Sequence, residues 1–149
     1  MNSGNRQFTN APRIAVVLGP ATVALLDMNG DAKLDIIIAN YDANTVSIRL
    51  GDGAGGFAAS NNTAVGVRPP SIAIGDRNGH GRPDVVAVNE GSNSVAILIG
   101  DGAGGLVHAA TVTVRLAQSS VALDDLNRDG RLDLVVANFA SNAVSVLLG

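Results

Sequence analysis

Residues 27–35 read DMNGDAKLD, and the pattern returns as DRNGHGRPD at 76–84 and as DLNRDGRLD at 125–133. The offset is 49 residues each time, with no insertion between the copies. A second motif has the same period, because GDGAGGF at 51–57 returns as GDGAGGL at 100–106. A fixed period of roughly 20–50 residues indicates a repeat protein, in which one supersecondary unit stacks on the next.

The 149 residues divide into three repeat units at about 3–51, 52–100 and 101–149. The third copy stops just before its glycine-rich turn, whereas residues 3–8 align with 52–57 at the same offset. The chain is therefore three repeats long but begins and ends inside a repeat. We expect a strand at 8–17 that completes a last blade.

Each repeat contains four short apolar or alternating segments separated by Gly and Asn clusters, which predicts four β-strands. The second segment is apolar throughout and suits a strand covered on both faces. The predicted strands are at 22–26, 71–75 and 120–124; at 35–40, 84–89 and 133–138; at 45–50, 94–99 and 143–148; and at 57–67, 106–114 and 8–17. The fold class is therefore all-β, and four strands in each repeat of this length are typical of a β-propeller blade. A solenoid of parallel coils is the alternative, and a two-sheet sandwich would not explain the repeat.

Composition excludes several classes of protein. The apolar content of 46% and a net charge of −3 argue against disorder. The absence of cysteine excludes disulfide scaffolds and cysteine-based zinc sites. Ten basic against 13 acidic residues argue against a nucleic-acid partner. No stretch has the length of a membrane span, and the polar first residues do not form a signal peptide.

The repeated nine-residue loop predicts a metal site. Its acids and amides stand at loop positions 1, 3, 5 and 9, so that several oxygens point to one centre. Carboxylates that close together repel each other unless a cation neutralises them. Ca²⁺ accepts flexible coordination by oxygen ligands, and the backbone carbonyl at position 7 would add one more. The alternative is a set of solvated turns, since Asp, Asn and Gly favour turns in any case.

The candidate calcium ligands fall in the three copies of the loop. They are Asp27, Asn29, Asp31, Lys33 and Asp35; Asp76, Asn78, Arg82 and Asp84; and Asp125, Asn127, Asp129, Arg131 and Asp133. The basic residues would contribute their carbonyl oxygens, with the side chains pointing outward. In the second loop His80 replaces an acid, and imidazole is a poor ligand for a hard cation. We expect that loop to be weak, empty or water-bridged.

The loop pattern, together with Phe57 and the segment 65–69, resembles the FG-GAP/VCBS repeat family. The resemblance covers essentially the whole chain. It implies β-propeller blades with calcium between the first and second strands of each blade. Integrin α-subunit heads and several calcium-containing lectins are similar in architecture. Departures such as Ala32 and Arg128, where other copies have glycine, leave the ligand set intact.

Three blades form an open arc, because closed propellers have roughly four to eight blades. The simplest closure is a two-fold homodimer with six blades, in which the N-terminal strand of one chain completes the last blade of the other. A fragment, or an engineered piece, of a longer propeller is the alternative.

We expect no enzymatic activity and no catalytic residues. The two histidines occupy unrelated repeat positions, and His108 is predicted to be a surface strand residue. The glycine-rich stretch 51–56 lacks the Lys-Ser/Thr of a phosphate-binding loop. The favoured function is a lectin-like or cell-adhesion binding module, or a scaffold, with carbohydrate or protein as its partner. The alternative is the propeller domain of a polysaccharide lyase or hydrolase.

Two sets of repeated asparagines could line pockets between blades, beside Tyr41 and Phe139. They are Asn40, Asn89 and Asn138, and Asn44, Asn93 and Asn142. The favoured interpretation is turn chemistry, because Asn tolerates the left-handed conformation. Weak calcium sites need a calcium-rich compartment, so we expect an extracellular or periplasmic location.

Overall fold

The computed structural model describes residue 10 and residues 13–59, 61–114 and 118–149. The strands are β1 Pro20–Leu26, β2 Asp35–Asn40, β3 Thr45–Arg49, β4 Asn61–Ala64, β5 Ser71–Gly75, β6 Asp84–Asn89, β7 Ser94–Gly100, β8 Leu106–Thr113, β9 Gln118–Asp124, β10 Asp133–Asn138 and β11 Ala143–Leu147. Short 3₁₀ turns lie at Glu90–Ser92 and Phe139–Ser141. The all-β prediction is confirmed.

The strands form three antiparallel sheets, one for each repeat. Sheet 1 has the order β1-β2-β3-β4, sheet 2 has β5-β6-β7-β8, and sheet 3 has β9-β10-β11. Sequential strands are neighbours in every sheet, so each sheet is a simple meander, as expected for a propeller-like blade. The first strands of neighbouring sheets contact each other, β1 with β5 and β5 with β9.

The bounds differ from the prediction mainly at the fourth strand. In sheet 1 it is limited to β4, although Phe57 makes an isolated antiparallel bridge with Gly51. The polar residues Asn61, Asn62 and Thr63 make up most of this strand and bury little surface, so only a short part pairs with β3. Of the predicted N-terminal strand, the described residues 13–17 carry no strand pairing, and 8, 9, 11 and 12 lie outside the described residues.

The core lies between the sheets in two clusters. The first joins sheets 1 and 2 through residues such as Ile37, Val46 and Val85, and the second joins sheets 2 and 3 through Val86 and Val136. Adjacent residues of β6 point into different clusters, because side chains alternate across a strand. All six residues of β6 are buried, which confirms the prediction of a strand covered on both faces.

Polar contacts across the first junction supplement the apolar core. The Thr22 hydroxyl donates to the carbonyl of Pro70 at 2.6 Å, and the Tyr41 hydroxyl donates to Glu90 at 3.1 Å. Arg68 lies 5.9 Å above the ring of Tyr41. These contacts fix the relative position of sheets 1 and 2, and with it the relative position of their loops.

Candidate metal centres in the repeated loops

We call residues 27–35 loop 1, residues 76–84 loop 2 and residues 125–133 loop 3. Each loop connects the first and second strands of its sheet. The carboxylate at position 1 organises the turn: in loop 1, Asp27 accepts hydrogen bonds from the backbone N–H of Gly30 at 2.7 Å and of Ala32 at 2.7 Å. In loop 3, Asp125 accepts from Asp129 at 3.1 Å and from Gly130 at 2.9 Å. The polypeptide therefore curls around this carboxylate.

The aspartate at position 9 is the most buried group of each loop, since Asp35, Asp84 and Asp133 are all 0% exposed. In loop 2, Asp84 accepts one hydrogen bond from the N–H of Arg77 and one from the N–H of Gly100, both at 3.0 Å. Equivalent pairs of bonds are made by Asp35 and Asp133. This aspartate therefore ties the start of its loop to the end of the third strand.

The glycine on the other side of this contact was not predicted to have a role. A side chain at Gly100 would collide with the backbone carbonyl of Pro83, and Gly51 and Gly149 have the same relation to Leu34 and Leu132. Only glycine allows this close approach of two backbones. The sequence signal was a glycine 16 residues after each ninth-position aspartate.

The carboxylates at position 5 differ between loops. Asp31 pairs with the ammonium group of Lys33 at 3.3 Å, whereas Asp129 accepts from the Asn127 amide at 3.0 Å. The hydrogen bond from Asn127, and the one from the Arg131 N–H, lower the pKa of Asp129. Both residues offer carboxylate oxygens at the loop surface, so that the oxygen donor set suits a hard cation such as Ca²⁺.

The basic residue at position 7 bends over a neighbouring segment. The guanidinium group of Arg82 donates to the carbonyl of Asp101 at 3.0 Å, and that of Arg131 donates to the carbonyl of Gly149 at 3.4 Å. Lys33 instead pairs with Asp31 in its own loop. The side chains are exposed, as predicted, but they cover the end of the third strand or the loop rather than point straight into solvent.

Loop 2 places a side chain at the centre of its turn. His80 Nδ1 lies 3.1 Å from Asp76 Oδ1, and His80 Nε2 lies 3.1 Å from the carbonyl of Gly100. Both neighbours are acceptors, so the role of each ring nitrogen depends on the tautomer and protonation state of the ring. The hydrogen bond to Asp76, and then the one to Gly100, raise the pKa of His80. Nε2 is also 3.7 Å from the buried Asp84.

Among the described residues, one group of three potential ligands converges: Asp76, His80 and Asp84, with ligand atoms within 4.8 Å of one another. Within loop 1, and likewise within loop 3, no three carboxylates of the described residues lie that close together. They accept backbone amides and keep further lone pairs, because a carboxylate has about four acceptor positions.

The glycine-rich turns hold a further pair of carboxylates, which were not predicted to be site residues. Asp52 accepts from the N–H of Ala54 at 2.7 Å and of Gly56 at 2.9 Å, and Asp101 does the same in the next repeat. These bonds lower the pKa of both carboxyl groups. The repeated GDGAGG motif was the available signal, and its role is to form a turn.

The asparagines divide into two structural classes. Asn44, Asn93 and Asn142 are left-handed, with φ of 57°, 50° and 48°, as turn chemistry requires. Asn40, Asn89 and Asn138 are buried at the end of the second strand. Asn40 donates to Ser47 at 2.7 Å, and Asn138 donates to Ser145 at 2.9 Å. In sheets 1 and 3, the buried asparagine therefore links the second strand to the third. His108 is exposed in β8 beside Thr111, as predicted.

The chain is similar to known proteins in both sequence and fold. The family model described as FG-GAP-like repeat matches residues 27–79 and 76–136. Together the two matches include all of loops 1, 2 and 3. The chain belongs to this family. The resemblance to FG-GAP repeats that the sequence indicates is thus confirmed.

One similar solved structure is titled "Crystal structure of BBS1N in complex with ARL6DN, soaked with lead". The TM-score is 0.55 at 13% sequence identity, and the match covers 87% of this chain. The chain spans 43% of the length of that structure's chain, so the likeness concerns the fold of this part. Among curated proteins, none matches the chain. Within the described residues, no helix is long and apolar enough to cross a membrane.

Two loop residues are strained in a way that a substitution can test. Ala32 and Arg128 have φ of 62° and 61°, in the left-handed region, where other repeats have glycine. A left-handed non-glycine residue costs about 1–2 kcal/mol, and the extra freedom of an unfolded glycine offsets about 0.5–1 kcal/mol of that. We expect Ala32→Gly and Arg128→Gly each to raise the free energy of unfolding by about 0.5 kcal/mol in urea titrations. Ala54→Gly, whose φ is not positive, should lower it.

Proposed function

We propose that the chain is a non-catalytic β-propeller module whose loops 1 and 3 bind calcium and which recognises another macromolecule. The observation that carries the proposal is the repeated loop, which combines oxygen donors at positions 1, 3 and 5 with a buried aspartate at position 9. Asp35 and Asp133 are 0% exposed and are fixed by two backbone N–H groups each. A carboxylate fixed in this way loses little conformational entropy when a cation binds.

Loop 2 is closed by a side chain in our proposal. The His80 ring bridges Asp76 and the carbonyl of Gly100, at the place where an aspartate stands in the other two loops. Imidazole suits transition metals better than it suits Ca²⁺. We therefore propose two calcium ions for each chain.

This proposal is tested by the stoichiometry of calcium binding in isothermal titration calorimetry. We expect two sites for the native sequence, three for His80→Asp and one for Asp129→His, because each change converts one type of loop into the other. His108→Asp alters an exposed histidine outside the loops and should leave two sites. A native stoichiometry of three, or of none, would contradict the assignment of the loops.

The surroundings of the two histidines support the proposal that the chain is not a catalyst. His80 has both nitrogens engaged within loop 2, and His108 lies on the exposed β8 beside Thr111. Neither is placed next to a nucleophilic side chain and an acid in the manner of a catalytic triad. Hydrolase and lyase activity toward polysaccharides should therefore be undetectable when calcium is present, and measurable turnover would favour the alternative of an enzyme domain.

The ligand class is proposed as protein rather than sugar. Aromatic residues make up only 3% of the chain, whereas sugar binders commonly stack rings on aromatic side chains. A glycan array probed with and without calcium separates the two classes, and we expect no calcium-dependent glycan signal. Calcium sites of this kind function where calcium is abundant, so we propose an extracellular or periplasmic location.

A further inference from the structure

Among the described residues, the two outer faces of the stack expose apolar side chains and pack against no further sheet. On sheet 3 and its loop, the face turned away from sheet 2 exposes Leu126 (52%), Val144 (62%), Val146 (54%) and Leu148 (66%). We call this the trailing face. Contiguous exposed apolar residues of this kind are unusual on a monomer and mark an interaction site.

The repeat shows what covers such a face. Subtracting two periods takes the trailing-face residues to Met28, Val46, Ile48 and Leu50 of the first repeat. Met28, Val46 and Ile48 are at most 2% exposed, and all four lie in the cluster between sheets 1 and 2. The trailing face is therefore built from the positions that form a junction between sheets inside the chain.

The opposite end supplies the complementary surface, which we call the leading face. On sheet 1 it exposes Val23 (65%) and Leu25 (59%). Their equivalents one period later, Ile72 and Ile74, belong to the core between sheets 1 and 2. Each sheet thus has a leading face that contacts the preceding sheet and a trailing face that contacts the following one. The leading face of sheet 1 and the trailing face of sheet 3 are the two that remain.

We propose that a second copy of this chain docks its leading face on the trailing face of the first, and that two such junctions close a six-bladed ring. The occupant is a second copy because the chain already contains this junction twice, with the same positions on each side. Two copies give six blades, within the roughly four to eight of closed propellers, whereas three copies give nine. The proposal concerns association and does not depend on calcium occupancy.

A strand of the second copy would add hydrogen bonds to this junction by pairing with β11. Among the described residues, sheets 1 and 2 have a fourth strand and sheet 3 has three, so no strand in this part of the chain pairs with the outer edge of β11. In sheets 1 and 2 the register pairs Thr45 with Ala64 and Ser94 with Thr113. Carried to the third repeat, that register pairs Ala143 with Ala15 of the second copy. A free strand edge readily accepts a strand from another chain.

Residues 13–16 are the segment that would pair with β11 of the other copy. They carry no strand pairing within the described chain, and they lie beside the leading face, where Ile14 and Val16 line a cleft with Val23 and Ile38. The guanidinium group of Arg49 donates to the carbonyl of Ala15. Leucines occupy the position of Arg49 in the other two repeats, so this arginine distinguishes the leading face of sheet 1.

An aromatic pair would complete the junction. Across the first internal junction, Tyr41 meets Glu90, and the next position in the series is Phe139, which is 80% exposed. In the ring, Phe139 of one copy faces Tyr41 of the second copy. Aromatic side chains of this kind are frequent anchors of protein interfaces.

The first test is the mass of the chain in solution, by light scattering at micromolar concentration. We expect about 30 kDa, twice the 15.0 kDa of one chain. Val144→Asp should reduce it to the monomer mass without changing the far-UV circular dichroism, since Val144 is already 62% exposed in the chain. Val107→Asp is the matched control, because Val107 is also 62% exposed but lies on the outer strand β8.

The second test is a disulfide in a chain that has no cysteine of its own. Ala15→Cys combined with Ala143→Cys should give a covalent dimer on oxidation, since directly opposite residues are close enough to be bridged. Ala15→Cys with Leu147→Cys places the thiols about 13 Å apart along the strand and should not. A monomer, an open polymer series, a dimer insensitive to Val144→Asp, or equal cross-linking of both pairs would overturn the proposal.

Discussion

Replacing Asp84 with alanine is expected to lower the free energy of unfolding by about 3–5 kcal/mol. The carboxylate is 0% exposed and accepts the N–H of Arg77 and of Gly100, so its loss leaves two backbone donors without their partner. Each hydrogen bond to a charged group contributes about 1.5–3 kcal/mol. Because domains are stable by only about 5–15 kcal/mol, much of the molecule should be unfolded at moderate urea.

Two variants accompany this measurement in urea titrations followed by circular dichroism. Asp84→Asn keeps one acceptor oxygen and should cost roughly half as much, because one of the two N–H groups retains its bond. Asp52→Ala removes an aspartate from an exposed turn and should cost less than either. If Asp84→Ala were no more destabilising than Asp52→Ala, the role of the ninth-position aspartate as the anchor of its loop would be wrong.

Calcium is expected to raise the melting temperature by roughly 10–20 °C relative to chelator. A ligand at 100 times its dissociation constant stabilises the folded state by about 2.7 kcal/mol, and two sites give about 5 kcal/mol. For a chain of this size, each kcal/mol corresponds to roughly 2–4 °C. Differential scanning calorimetry in calcium and in EDTA measures the shift directly.

The control for the calcium effect uses carboxylates of the same type in two different places. Asp31→Ala combined with Asp129→Ala removes a ligand from loops 1 and 3 and should abolish the shift. Asp52→Ala combined with Asp101→Ala removes exposed carboxylates of the glycine-rich turns and should preserve it. Equal melting temperatures of the native chain in calcium and in EDTA would refute the proposed calcium sites.

The period of 49 residues was enough to predict the sheets, because each repeat had to bury the same positions. It located β2, β6 and β10 at their observed bounds. It did not predict how short β4 is, since the length of an outer strand depends on what packs against it. A single sequence carries little information about such partly covered edges.

In the loops, the residue spacing predicted the positions of the candidate ligands but not their contacts with other segments. Alternating acids predicted convergence at one centre in every loop, whereas among the described residues the group that converges is Asp76, His80 and Asp84 of loop 2. The spacing could not show that the His80 ring would bridge Asp76 and the carbonyl of Gly100, because Gly100 lies in a different strand. Nor could it show that Asp35 would accept the N–H of Gly51, since such a contact depends on how loop and strand pack.

The difference between the leading and trailing faces gives the chain a polarity. Copies joined through these faces run head to tail, and a head-to-tail contact either returns to its starting point or continues as a helical filament. Which of the two occurs depends on the angle between neighbouring sheets, because the side chains at the contact would be the same in a ring and in a fibre. Small residues where the first strands meet, such as Ala24, Ala73 and Ala122, are therefore the positions at which a bulkier side chain would change the geometry of assembly rather than its strength.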